Sequence, residues 1–322
     1  MRISAALLGA LWLAAPAAAA RRRPLPDAAE LLNRALAAPS VPYAARERVQ
    51  AFGPSGKAKA QSRFIQYQAP GRRRVESSAR KSGPLSLLIV DDGRRRLTAW
   101  PKARRAWLGP VPSEDPAAEA ARLMSLYDLS VSTGSRTAGK AVWRLDLRSK
   151  ADGRLRRSLW IEKNGGLTVR REDYRPDGSL LRRERTSRLE TPDFAPEAFA
   201  VKAPDGAEID ASTVPYSGAH GAKRELAFRL PAWLPDGFVL LELSGASASY
   251  TDGLTTFTLA ERGAPQAAPY ASVALKSGAG RYYRSGDAIT LAWTAGGREY
   301  ALHGDLPEAD LARAADSIPG AP

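Results

Sequence analysis

The chain has 322 residues, 44% of them hydrophobic, with 48 Lys and Arg against 34 Asp and Glu, two His and no Cys. This is a globular composition long enough for about two domains, and it excludes disulfides, a thiol nucleophile, thiolate metal sites and lipid attachment through cysteine. With His220 and His303 as the whole imidazole complement, a histidine cluster is excluded as well, and neither has a histidine four residues away for a zinc-binding helix.

Residues 1–20 read as a secretory signal peptide. One basic residue precedes an apolar run through Leu7, Leu8, Leu11, Trp12 and Leu13, and Ala18-x-Ala20 supplies the small-residue cleavage site. The run breaks at Pro16 and is shorter than the roughly 20 residues of a bilayer span. The prediction is an exported, periplasmic protein. Its charge is uneven: residues 21–220 carry 38 basic and 23 acidic side chains, and residues 221–322 carry 9 and 11. Such asymmetry points to an anionic partner. For an exported chain that means lipid phosphates, lipopolysaccharide or an acidic protein segment, and not nucleic acid. The competing reading, a solvated arginine-rich sheet face, stays open.

In chain order, Asp27 and Glu30 form a capping-box-like pair before a short helix with Leu31, Leu32, Ala35 and Leu36 on one face. Strands follow at 49–52, 62–68, 72–77, 85–90, 95–100 and 105–108, with Asp92-Gly93 as a strong hairpin signal. Residues 113–126 read as a helix with Ser113 as its N-cap and Tyr127 at its apolar end. Trp143, Leu145 and Leu147 alternate with Arg144, Asp146 and Arg148, the clearest period-two pattern in the chain. Turns at Asp152-Gly153, Asn164-Gly165 and Asp177-Gly178 then give an antiparallel meander through residue 189. Its last strand has charge on both faces (Arg182, Arg183, Glu184, Arg185, Arg188), so it is expected at an edge or an open mouth. Residues 190–222, rich in Pro and Gly, read as a linker. The second domain has strands through Leu243, at 255–260, 288–293 and 299–303, and a closing helix from Pro307 with Leu311, Ala314, Ala315 and Ile318 inside. The fold class is α+β, with two sheet-dominated domains.

No catalytic set emerges. Gly134 to Lys140 fits a phosphate-loop spacing, but Ala141 stands where Ser or Thr must ligate magnesium, and a strand follows in place of a helix. Glu172-Asp173 stands beside arginines, which favours salt bridging over acid–base work. His220 and His303 read as polar turn residues. No metal, cofactor or catalytic residue is expected. What remains is apolar and cationic. Leu87, Ile89, Leu97, Trp100, Trp107, Trp143, Leu145, Leu159 and Ile161 are candidates for an apolar trough. Arg72, Arg73, Arg74, Arg94, Arg95, Arg96, Arg104 and Arg105, with Lys102 beside them, are candidates for an anion-binding rim. Acyl chains inside and phosphate or carboxylate on guanidinium groups would suit an amphiphile; an ordinary sheet–helix core with solvated arginines is the alternative.

The segments Ala69-Pro70-Gly71-Arg72, Leu88 to Gly93 and Leu97 to Trp100 resemble periplasmic lipoprotein carriers of the LolA/LolB type. Tyr127 to Val131, Arg136 to Gly139, Leu159 to Glu162, Leu167 to Arg171, Trp233 to Phe238, Tyr250 to Leu254 and Leu306 to Ile318 look like the MucB/RseB family. The resemblance implies an unclosed antiparallel β-barrel wrapped over helices in residues 21–215 and a smaller antiparallel sheet with a packed helix in 216–322. It also implies a function: binding the periplasmic domain of a membrane anti-sigma factor, shielding it from proteolysis, and yielding to lipopolysaccharide or lipoprotein acyl chains. A LolA-like carrier of lipid or lipoprotein is the alternative, and an adaptor without a cavity is a third. Self-association stays open.

Overall fold

The computed structural model describes residues 24–53, 56–80, 82–111, 115–211, 229–235, 237–244, 247–261, 265, 268–285 and 288–318. The signal-peptide region, Ser113 and His220 lie outside them.

The first helix, α1 (Ala28–Leu36), starts where expected: the Asp27 carboxylate accepts the Glu30 amide at 2.8 Å, and Leu31 and Leu32 are fully buried. Six strands follow, β1 (Tyr43–Phe52), β2 (Ala58–Gln68), β3 (Arg72–Ser78), β4 (Leu85–Asp92), β5 (Arg95–Trp100) and β6 (Arg105–Pro110). Helix α2 (Pro116–Leu126) is capped by Asp115, whose carboxylate accepts two amides of the first turn. The meander comprises β7 (Tyr127–Thr133), β8 (Val142–Ser149), β9 (Leu155–Glu162), β10 (Thr168–Tyr174) and β11 (Leu180–Glu190), and β12 (Glu208–Ala211) completes the sheet.

These twelve strands form one sheet in the order β12-β6-β5-β4-β3-β2-β1-β11-β10-β9-β8-β7. All neighbours are antiparallel except β12 and β6. The edge strands β12 and β7 do not meet, so the sheet is unclosed, as expected. Helices α1 and α2 cover its β7–β9 end.

Four expectations need correction. The charged strand β11 is central, paired with β1 on one side and β10 on the other. Its tolerance comes from ion pairs, such as those of Arg182 with Glu184 and Arg183 with Glu172. The supposed linker is packed down to residue 211: Phe199 is buried, Val201, Ala203 and Ala207 lie over β4–β6, and β12 pairs with β6. Local sequence has no period there because side chains, not a regular backbone, hold the segment down. Tyr127 belongs to β7, not to a helix. His303 lies inside a strand, where its Nδ1 hydrogen-bonds the Thr290 hydroxyl at 2.8 Å.

The second sheet contains β13 (Val239–Ser244), β14 (Ser247–Thr251), β15 (Thr256–Glu261), β16 (Ala271–Leu275), β17 (Gly278–Ser285), β18 (Ala288–Ala295) and β19 (Arg298–Gly304), ordered β13-β14-β15-β19-β18-β17-β16. Helix α3 (Glu308–Asp316) packs Leu311, Ala314 and Ala315 on Phe257, Leu259, Leu291 and Leu302. Trp233 packs against this core under the Arg313 guanidinium, 4.2 Å away. This is the expected smaller sheet with its helix.

Candidate functional site

Strand registers sort the side chains of the first sheet onto two faces. On the helix-bearing face, Trp143, Leu145, Leu159 and Ile161 pack against Leu31, Leu32, Ala120 and Leu123 and are 0–7% exposed. This part of the expected trough is filled by α1 and α2.

Beyond it the same face becomes ionic. Arg157 Nε donates to Asp173 Oδ1 at 2.6 Å, and Arg171 reaches Asp173 Oδ2 at 2.7 Å. Glu184 accepts from Arg182 and, at 3.3 Å, from Arg63, which also faces Glu47 at 3.5 Å. Burial alone would push the Asp173 carboxyl up, but Arg157 and Arg171 hold it below the usual range. Burial pushes Glu47 up, against the pull of Arg63 and with the help of Glu184. Glu172, on the other face, is likewise paired, with Arg170, Arg183 and the Tyr174 hydroxyl, so salt bridging is its role.

Farther along, the register places Ile65, Val75, Ile89, Thr98 and Trp107 side by side across β2–β6. Leu87, Ile89 and Trp100 are half-buried and Trp107 is buried. Leu97 is not with them. It pairs with Val90 and lies on the opposite face under the 201–207 segment, because one residue along a strand reverses the side chain. The nine apolar candidates therefore fall into three places.

The arginine candidates divide as well. Arg73 and Arg96 converge on Asp91, at 4.0 and 2.7 Å. Arg72, Arg94 and Arg95 are exposed at the same end of β3–β5. Arg74 pairs with Glu76 on the other face. Arg104 and Arg105 lie at the far end of β5–β6, roughly 17 Å along the strand, since Arg105 pairs with Trp100 and Arg95 with Pro110. No single rim forms.

The two sheets meet at a joint. The Tyr127 hydroxyl donates to the Asp252 carbonyl at 2.8 Å in a buried contact. Burial and the neighbouring Asp252 push the phenol pKa up. Asp252 Oδ1 accepts the amides of Leu254 and Thr255 at 2.8 and 2.7 Å, shaping a turn whose Gly253 has φ +90°. A Cβ at Gly253 would sit 3.0 Å from Leu123 Cδ2, and Leu254 packs into the α1–α2 core. Arg175 Nε also reaches Asp305 at 3.3 Å. A groove of about 310 Å³ opens here, lined by Asp152, Arg156, Trp233, Phe238 and Arg313 among others. Tyr127→Phe should cost about 1–3 kcal/mol by stranding a buried carbonyl, measured by urea unfolding.

Residues 98–215 match the family described as the MucB/RseB N-terminal domain. The chain is similar to MucB in complex with MucA(peri), at 21% identity and a TM-score of 0.62, covering 91% of this chain and 98% of that one. The Pseudomonas aeruginosa MucA/MucB complex gives 20% and 0.61 over the same shares, and MucB by itself 20% and 0.51 over 90% and 97%. The resemblance to the MucB/RseB family is borne out. No curated protein matches the chain in sequence.

The MucB/RseB match begins within β5 and ends after β12, so it takes in α2, Tyr127 and the whole meander. The fold likeness to the MucB structures extends over the second sheet. The joint is built from the MucB/RseB-like motifs Tyr127 to Val131 and Tyr250 to Leu254, but nothing local says that they touch. Asp252-Gly253 signals a turn; its partner across the joint is 125 residues away. Among the described residues no group of His, Asp or Glu could hold a metal ion, and no helix is long and apolar enough to cross a membrane.

Proposed function

We propose that this protein is a non-enzymatic periplasmic regulator that binds the periplasmic domain of a membrane anti-sigma factor and shields it from proteolysis. Residues 1–20 are its export signal, 21–215 its amphiphile-sensing domain and 216–322 a smaller domain that helps hold the partner. The observation that carries this reading is the likeness, over 91% of the chain and both sheets, to MucB in complex with MucA(peri). The ligand would be lipopolysaccharide or lipoprotein acyl chains, for which the half-buried Leu87, Ile89 and Trp100 beside Trp107 offer apolar surface and Arg73, Arg96 and their exposed neighbours the anion contacts. An amphiphile shifts the equilibrium only by its differential affinity for free over partner-bound protein, so ligand and partner compete.

Capture on the tagged full chain from its own envelope fraction should recover a single-pass anti-sigma protein. Adding the purified chain should slow site-one cleavage of that partner, and adding lipopolysaccharide should restore it. Cleavage at an unchanged rate would overturn the shielding role. A LolA-like carrier would use the same apolar row but would hand extracted lipid to an outer-membrane acceptor. Such transfer without any effect on cleavage would favour that reading.

A further inference from the structure

The face of the first sheet opposite α1 and α2 carries a group of four arginines, two of which, Arg48 and Arg185, take no part in the core or the ion-pair network. Arg46 stands directly opposite Arg188, and Arg48 directly opposite Arg185, on the paired central strands β1 and β11. All four are exposed. Side chains directly opposite one another have Cβ atoms about 5 Å apart, and like charges in that relation are destabilising. Beside the group an arginine is compensated: Arg170, the next residue across from Arg185, pairs with Glu172 and stacks on Trp160. In the group itself Arg188 meets Glu190 and Arg46 lies over the Phe64 ring at 5.0 Å. Neither the Arg48 nor the Arg185 side chain makes a hydrogen bond or ion pair to any described group. A groove of about 630 Å³, lined by Ser62, Phe64, Leu85 and Ser187 among others, opens beside Arg46 and Arg48. The acids on this face are already paired: Glu190 with Arg188, Glu172 with Arg170 and Arg183, and Glu76 of the groove wall with Arg74; Glu47 and Glu184 belong to the other face.

We infer that this arginine square is a docking surface for the phosphates of an anionic phospholipid layer. Its four arginines stand on one open sheet face as two directly opposed pairs, and guanidinium groups hold phosphate by bidentate hydrogen bonds. A peptide could not add here as a further strand, because β1 and β11 are already paired on both sides. That leaves recognition to side-chain charge, and the 38 basic against 23 acidic residues of the first two hundred after the leader reinforce attraction to a polyanionic surface. The inference does not depend on the anti-sigma reading: the face lies opposite the apolar row and apart from the joint.

The test is sedimentation of the full chain without its leader on vesicles of phosphatidylglycerol and phosphatidylcholine mixed one to two, compared with phosphatidylcholine alone. The chain should bind the anionic vesicles only, and binding should be lost near 0.5 M salt, where screening acts within a few ångströms. The double variant Arg48→Gln, Arg185→Gln should bind roughly 30-fold more weakly. Its melting temperature should be unchanged or slightly higher, because the opposed charges are gone. A control of equal charge change on exposed residues elsewhere, Arg148→Gln with Arg281→Gln, should stay within about twofold. Equal binding by the Arg48/Arg185 variant and the parent, or binding unaffected by salt, would refute the proposal. So would capture of a polyglutamate peptide with no binding to vesicles, which would mark the square as a site for acidic protein. Each of these outcomes can be read whether or not an anti-sigma partner is found.

Discussion

Asp173→Asn should lower the unfolding free energy by about 3–5 kcal/mol, measured by denaturant titration at neutral pH. The side chains of Asp173 and Arg157 are 8% and 10% exposed and their atoms meet at 2.6 Å. Removing the carboxylate charge leaves the Arg157 guanidinium buried with no counter-charge, while Arg171 loses its 2.7 Å partner. The loss arises from the stranded cation more than from the pair itself. Replacing Arg157 and Asp173 together by leucine should therefore cost much less than the single change. The pH dependence has a definite sign. The Asp173 pKa is lower in the folded chain than its ordinary 3.8, so its stabilisation is fully present above that pH. It is lost as the pH falls through the folded value. The asparagine variant should show a flatter acid limb, and an unchanged limb would mean that the pair does not carry the coupling.

Leu123→Ala should cost about 2–5 kcal/mol. Leu123 is 1% exposed on α2, in the cluster with Leu31, Leu32, Tyr127 and Leu145, and its truncation removes apolar contact and leaves a cavity where two helices and a sheet meet. The same side chain borders Gly253 of the second sheet, so the loss should also loosen the joint. Hydrogen exchange should rise at Tyr127 and at the Leu254 and Thr255 amides before it rises in β18. Exchange spread evenly over the chain, with a loss below about 1 kcal/mol, would show that Leu123 links nothing.

Much of the secondary structure was legible because local patterns decide it. The alternation of Trp143, Leu145 and Leu147 gave β8, Asp92-Gly93 gave the β4–β5 hairpin, and Asp27 with Glu30 gave the start of α1. Strands such as β7, β14, β16 and β17 were missed, being short, small-residue or weakly alternating segments that tertiary pairing makes regular. β11 was misplaced at an edge because charge on both faces forbids burial only where acids are absent. Its ion-pair partners Glu172 and Arg63 come from other strands, Arg63 from 121 residues away, and the pattern within β11 does not reveal them. The candidate site suffered most. Leu97 stands on the face opposite Ile89, and arginines close together in the sequence lie at opposite ends of β5, since position along a strand and its pairing register fix where a side chain stands.

Taken alone, the amino-acid sequence determined the α+β class, two sheet-dominated halves, the absence of cysteine chemistry and the resemblance to the MucB/RseB family, because composition, short-range period and ordered motifs are properties of contiguous residues. Tertiary structure decided which apolar side chains lie under the helices and which carboxylate neutralises which arginine. It decided that Tyr127 meets Asp252, and that Arg48 and Arg185 stand opposed and unneutralised on an open face. Those relations depend on strand order and register, which long-range pairing sets and no local segment encodes.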